Sequence, residues 1–249
     1  MKTKLTALFV LCLTLSAAGI ASAADTRCFE MRTYYVAPGK MDAELARMKD
    51  HALALFEKHG FTGIGYWVPQ DNPDNKFIYI IASPSREAHD NAWKEFMADP
   101  AWQKARDESE VNGKLVTKVE SVYLKAADFS PEIAANNVSV PRCFELRTYT
   151  PAEGKMDGLL ARFRDHTCAL FARHGMTQIG YWTGAAEGQK DQLVYILAHK
   201  DRKTADANFS AFREDPKWVE AKKASEVNGS LTEKVESVFL VPTDFSPIR

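Results

Sequence analysis

The sequence predicts an α+β protein made of two ferredoxin-like (βαββαβ) repeats packed sheet to sheet as an α/β barrel within one chain. Three observations carry that prediction. A long motif set returns at a spacing of 115 to 116 residues. Each copy reads strand, helix, strand, strand, helix, strand, which is the ferredoxin-like order. That order puts both helices on one face of a four-stranded sheet, so the bare face needs a cover, and the second copy is at hand.

The repeat is explicit. Cys28-Phe29-Glu30 and Arg32-Thr33-Tyr34 return as Cys143-Phe144-Glu145 and Arg147-Thr148-Tyr149. Gly39-Lys40-Met41-Asp42 matches Gly154 to Asp157, and Ile64-Gly65-Tyr66-Trp67 matches Ile179 to Trp182. One added residue before Tyr195 then shifts the offset, and the tail Asp128-Phe129-Ser130-Pro131 recurs as Asp244 to Pro247. Two copies of this length are two small domains, not solenoid units.

In the first copy, residues 29–36 alternate and are rich in aromatic and β-branched types, so they read as a strand. Apolar residues at 41, 45, 48, 52, 55, 56 and 59 have helical spacing, which Gly60 ends. Residues 61–68 and 76–82 are two further strands, separated by the turn-rich Gln70-Asp71-Asn72-Pro73-Asp74-Asn75. Ser85 caps a second helix with Ala92, Trp93 and Phe96 on its buried face. Asp99-Pro100 restarts a short helix anchored by Trp102, and residues 114–124 form the last strand.

The N-terminus has a different character. Lys2 and Lys4 precede an apolar run, Leu5 to Ile20, followed by the small residues Ala21-Ser22-Ala23. This is the pattern of a secretory signal peptide cleaved after Ala23 or Ala24, so an exported, periplasmic or secreted protein is expected. The expected division is a signal peptide at 1–23, domains at 24–131 and 142–249, and a linker at 132–141. With 32 basic and 33 acidic residues the formal charge is −1, or −3 without the two leader lysines. No positive excess exists to neutralise phosphates, so no nucleic-acid partner is expected. Nothing after the leader is long enough to span a membrane. Oligomers of the full chain stay open.

The strand-one signatures Phe29-Glu30-Met31-Arg32-Thr33-Tyr34 and Phe144-Glu145-Leu146-Arg147-Thr148-Tyr149 resemble the NIPSNAP family. The Pro-Gly-Lys after the first, the His-Gly ending helix one, the Gly-Tyr-Trp of strand two and the Asp-Pro-x-Trp segment add to the likeness. The resemblance spans nearly the whole mature chain, twice. It implies the dimeric α/β-barrel superfamily, which includes cofactor-independent and haem-degrading monooxygenases, and a modest ligand cavity. It carries no defined activity with it.

Alternation in strand one puts Phe29, Met31 and Thr33 on the face expected under the helices, and Glu30, Arg32 and Tyr34 on the face expected to point into the barrel. Glu145, Arg147 and Tyr149 repeat this. Inward charges need partners, and Lys118 and Glu120 on the neighbouring strand are the expected ones. Two readings follow: a salt-bridge network that sets sheet register, or a polar pocket whose Arg32 and Arg147 hold an anionic ligand.

His59 and His174 end helix one and suit a capping role. His51 and His166 lie at the edge of its buried stripe, placed to line a helix–sheet cleft as acid–base groups. No local motif supports them as haem ligands, and no motif implies any cofactor, so haem stays open. Trp67 and Trp182 read as core aromatics that also suit a pocket for a flat ligand. Leu159 and Phe163 replace Glu44 and Met48 in the second copy, so its pocket should take the more apolar ligand or be the one that has closed. Cys28, Cys143 and Cys168 lack metal-site spacing, while a Cys28–Cys143 disulfide is conceivable in an exported protein.

Three function classes fit. The first is a binder of a small anionic or aromatic molecule through the ten residues Glu30, Arg32, Tyr34, His51, Trp67 and their copies. The second is an oxidoreductase like the cofactor-independent monooxygenases, using a histidine with Trp67 or Trp182. The third is a structural or interaction protein with filled cavities.

Overall fold

The computed structural model describes residues 25–135, 142–187 and 191–249. The expected signal peptide and residues 136–141 of the expected linker lie outside them. Repeat 1 runs β1 (Cys28–Val36), α1 (Met41–Arg47), α2 (Leu53–Lys58), β2 (Thr62–Pro69), β3 (Lys76–Ser83), α3 (Arg86–Ala98), α4 (Pro100–Ser109) and β4 (Val116–Ala126). Repeat 2 follows the same order: β5 (Cys143–Pro151), α5 (Met156–Arg162), α6 (Cys168–Arg173), β6 (Thr177–Gly184), β7 (Leu193–His199), α7 (Arg202–Glu214), α8 (Pro216–Ser225) and β8 (Thr232–Pro242).

The local signals act as read. The Ser85 hydroxyl accepts from the Ala88 N–H, and Asp99 accepts from the Ala101 N–H with Pro100 in the first turn. Gly60 takes φ +87° just past α2, a conformation that favours glycine. Periodicity did not reveal a break in helix one. A π-helical turn at Met48–Ala52 separates α1 from α2, and Phe163–Thr167 does the same between α5 and α6. Such turns insert a residue and rotate the following stripe.

The strands close a barrel in the order β1-β3-β2-β8-β5-β7-β6-β4. Each repeat supplies a ferredoxin-like sheet, and the seams are edge pairings of β2 with β8 and β4 with β6. Closure leaves neither sheet with a free edge. The interior is one apolar core drawn from both repeats: Phe29, Met31, Trp67, Ile80 and Leu124 meet Phe144, Leu146, Trp182, Ile196 and Leu240. The Trp67 ring lies over Gly65, where a Cβ would stand 2.0 Å from it, so β2 has room for the indole only because residue 65 is glycine.

This core corrects the orientation of strand one. Phe29 and Met31 fill the barrel, whereas Glu30, Arg32 and Tyr34 face the helices, as do Glu145, Arg147 and Tyr149. Strand one is covered on both faces, so alternation groups its residues without saying which group goes inside. The barrel interior is enclosed by strands and lined by apolar side chains, with only the Trp67 and Trp182 indoles to donate, so the buried charges face the helices, which supply partners. Lys118 and Glu120 are not those partners. They are exposed and pair with each other at 2.5 Å.

The repeated tails cross over. Phe129, just after β4, packs on Tyr181 of repeat 2, Asp128 pairs with Arg164, and Ser130 Oγ accepts from the Tyr181 N–H. Phe245 packs on Tyr66 of repeat 1, Asp244 pairs with Lys49, and Ser246 Oγ accepts from the Tyr66 N–H. Each repeat therefore straps the helical layer of the other. Among the described residues no helix is long and apolar enough to cross a membrane.

Candidate functional site

Between the helices and the sheet, each repeat buries the glutamate of its first strand. Glu30 is 1% exposed and fully engaged. Oε1 accepts from Arg32 Nη1 at 2.7 Å and from the Ser121 hydroxyl, and Oε2 accepts from the Trp93 indole N–H at 2.7 Å. His89 Nε2 lies 2.8 Å from Oε2, with its Nδ1 3.1 Å from Ser83 Oγ. The carboxylate thus places the imidazole proton on Nε2. Burial pushes the Glu30 carboxyl up, but the His89 hydrogen bond, the Arg32 charge, Ser121 and Trp93 outweigh it and hold it at about 2. The Arg32 guanidinium stacks 4.3 Å from the Trp93 ring. Beyond it, Tyr79 donates to Tyr34 at 2.8 Å.

Repeat 2 keeps half of this arrangement. Glu145 Oε1 accepts from Arg147 Nη1 and from Ser237 Oγ, each at 2.5 Å. Its histidine comes from another element. Ala205 stands where repeat 1 has His89, and His199 on β7 stands where it has Ser83. His199 Nε2 lies 3.3 Å from Glu145 Oε2 but out of line for a hydrogen bond. Phe209 replaces Trp93, so the indole donor is gone as well. Glu145 Oε2 and both His199 nitrogens have no hydrogen-bond partner among the described residues. Burial raises the Glu145 carboxyl, and the imidazole, Arg147 and Ser237 together still hold it below the usual range.

At the other end of the strand, Tyr149 joins the network. Arg147 Nη2 donates to its hydroxyl at 3.4 Å, and Tyr195 donates at 3.1 Å. Tyr149 also walls a cavity of about 240 Å³ between helix and sheet, with Phe163, Phe171, Phe212 and Trp218 as aromatic walls and Arg162 at its edge. Arg162 is itself held by Glu226 at 2.7 Å. The cavity of repeat 2 is thus present rather than closed, and Phe163 is among its lining residues. In repeat 1 a cavity of about 260 Å³ lies further along the helix, walled by Phe56, Phe61, Tyr66 and Phe245. A larger hollow of about 740 Å³ lies among residues 126–135, away from both glutamates.

A second buried carboxyl belongs to repeat 1 alone. Glu44 on α1 is fully buried and bonded to Arg47 at 2.5 Å, and Arg47 also reaches Glu110 at 3.0 Å. Glu44 Oε1 has no protein partner. Burial pushes its carboxyl up to about 7 against the pull of Arg47.

The other expected site residues disperse. His51 and His166 are exposed on the π-helical turns, away from either cluster. Trp67 and Trp182 are fully buried in the barrel core, on the opposite face of the sheet from the glutamates, with no partner for their indole nitrogens. His59 and His174 do not cap carbonyls: each binds the N-cap carboxylate of the following short helix, Asp99 or Asp215, at 2.8 Å. Cys28, Cys143 and Cys168 are free thiols. His89, Trp93, Ser121 and their counterparts His199, Phe209 and Ser237 were not singled out as site residues from sequence. The signal for them was the exchange of His and a small residue between positions 83/199 and 89/205 of otherwise matching repeats. Among the described residues no cluster suits a metal ion.

The fold has counterparts among solved structures. A candidate monooxygenase from Fusobacterium nucleatum shares 8% identity over 87% of this chain and 92% of its own, with a TM-score of 0.59. An anthrone oxidase-like protein shares 10% identity over 90% of this chain and 94% of its own, with a TM-score of 0.56. At those identities the likeness is one of fold. A NIPSNAP family protein from Agrobacterium tumefaciens is 28% identical over 43% of this chain and 99% of its own, with a TM-score of 0.39. No curated protein matches the chain. The NIPSNAP family model matches residues 29–131 and again 144–247. With both repeats matched almost end to end, the chain belongs to the NIPSNAP family and carries two copies of its domain in tandem.

Proposed function

We propose that this chain is an exported small-molecule binder whose ligand, a compact aromatic molecule, occupies the helix–sheet cavity of repeat 2. The observation that carries this reading is the cavity itself. Five aromatic residues, Tyr149 among them, line it beside Arg162, Lys222 and Glu226, and the Tyr149 hydroxyl accepts from Arg147 of the buried Glu145–Arg147 pair. A dry cavity of roughly 150 Å³ accepts benzene, so about 240 Å³ leaves room for two fused rings. Aromatic walls with a few placed polar groups are the usual composition of such sites. Export rests on the leader pattern of residues 1–23.

The oxidoreductase alternative drew on His51, His166, Trp67 and Trp182, which lie apart: the histidines are exposed and the tryptophans fill the barrel. Binding is therefore the reading proposed. The test is titration of the full chain with tetralin, followed by tryptophan fluorescence. Thr232→Trp should fill the repeat-2 cavity and weaken binding at least tenfold, while Leu53→Trp, in the repeat-1 cavity, should leave it unchanged. Unchanged binding in Thr232→Trp overturns the proposal.

A further inference from the structure

Resting on that cavity, we infer that Tyr149 is a hydrogen-bond donor for a carbonyl or other acceptor oxygen on the ligand. The argument is one of hydrogen-bond polarity. A phenol has one proton to give and two lone pairs to accept with. The oxygen of Tyr149 faces two donors, Arg147 Nη2 at 3.4 Å and the Tyr195 hydroxyl at 3.1 Å. Arg147 is a donor in every state. Tyr195 is fully buried, its only hydrogen-bond partner among the described residues is Tyr149, and burial raises its hydroxyl well above the ordinary range, so it keeps its proton. Its proton therefore goes to Tyr149. Both acceptor positions of Tyr149 are used, and its own proton is left for the cavity it walls.

The arginine is held for this task. Its Nη1 is fixed by Glu145 at 2.5 Å, and its guanidinium lies 4.7 Å from the Phe209 ring. Two donors on one phenol oxygen draw charge from its O–H bond, which strengthens the bond that hydroxyl gives. The ligand chemistry that fits is an aromatic ring system bearing an acceptor oxygen. At Tyr149 itself a ligand group that can only donate would find both acceptor positions taken. Repeat 1 differs at this point. Tyr34 receives Tyr79 at 2.8 Å, but among the described residues Arg32 makes no hydrogen bond to it.

The pair tetralin and 1-tetralone isolates the oxygen, because the two share a ring frame and differ by one carbonyl. The full chain should bind 1-tetralone about five- to tenfold more tightly than tetralin, the factor expected for one hydrogen bond. Tyr149→Phe should bring that ratio to about one, and Tyr34→Phe should leave the ratio as it was. A ratio that survives in Tyr149→Phe, with tetralin still bound, overturns the assignment of the donor and spares the cavity. Failure of the unaltered protein to bind either compound overturns the cavity reading, and the inference falls with it.

Discussion

Repeats 1 and 2 place a glutamate at the same register of the same strand and treat it in opposite ways. Glu30 receives four donors from β1, β4 and α3, and each oxygen is saturated. Glu145 receives two on one oxygen, and its other oxygen faces a histidine that does not bond to it. A saturated buried carboxylate ties a helix to a sheet. One that is half-satisfied costs stability, because unpaired buried polar groups are expensive. The difference comes from three substitutions on two elements: His89 to Ala205, Ser83 to His199, and Trp93 to Phe209. The glutamate of repeat 1 ties helix to sheet, while that of repeat 2 lacks the His and Trp hydrogen bonds. Strand-one motifs that differ only at Met31 and Leu146 thus do not imply twin sites.

The largest effect should come from removing the arginines. Arg32→Met leaves Glu30 with Ser121, His89 and Trp93, whereas Arg147→Met leaves Glu145 with Ser237 alone. Each change should destabilise the fold by about 3–5 kcal/mol in denaturant titration, with Arg147→Met the more damaging. Equal or reversed losses would break the contrast between the repeats.

The pH dependence of stability sharpens the contrast from another side. Folded Glu44 holds its proton up to about pH 7, against 4.5 as its ordinary value. The folded state therefore binds the extra proton between those values. The contribution is complete below pH 4.5 and is lost as pH rises through 7, on the order of 3 kcal/mol. Glu30 works in the other direction: held at about 2, its contribution is present above pH 4.5 and lost as pH falls through 2. Glu44→Leu copies Leu159 of repeat 2 and should flatten melting temperature against pH between 5 and 8. An unchanged slope would show that Glu44 stays ionised in the folded chain.

Smaller effects follow. Trp93→Phe imitates Phe209 and removes one hydrogen bond to a carboxylate, which should cost about 1.5–3 kcal/mol. The converse Phe209→Trp should gain stability if the indole reaches Glu145 Oε2, and a loss there would mean that the space is shaped for phenylalanine. Smallest of all, His51→Ala and His166→Ala should each change stability by less than about 0.5 kcal/mol. Neither should alter tetralin binding. A marked loss of binding from either would return the histidines to the site.

The sequence by itself determined the elements, their order, the duplication and the barrel. Those depend on local signals: the Ser85 and Asp99 caps, glycine after helix one, alternation in strand one, and a spacing that any shared fold must respect. It also grouped Glu30, Arg32 and Tyr34 on one face, because alternation has a period of two. Which face that was only the tertiary structure decided. In an amphipathic sheet the polar face is wet, but along the middle of strand one both faces are covered, one by helices and one by the closed barrel. The choice depends on which neighbour can satisfy a carboxylate, and His89 and Trp93 lie 59 and 63 residues from Glu30 along the chain. The π-helical turns, the crossed tails and the exposure of His51 belong to the same class. Each depends on contacts between segments far apart in sequence, which no local pattern encodes.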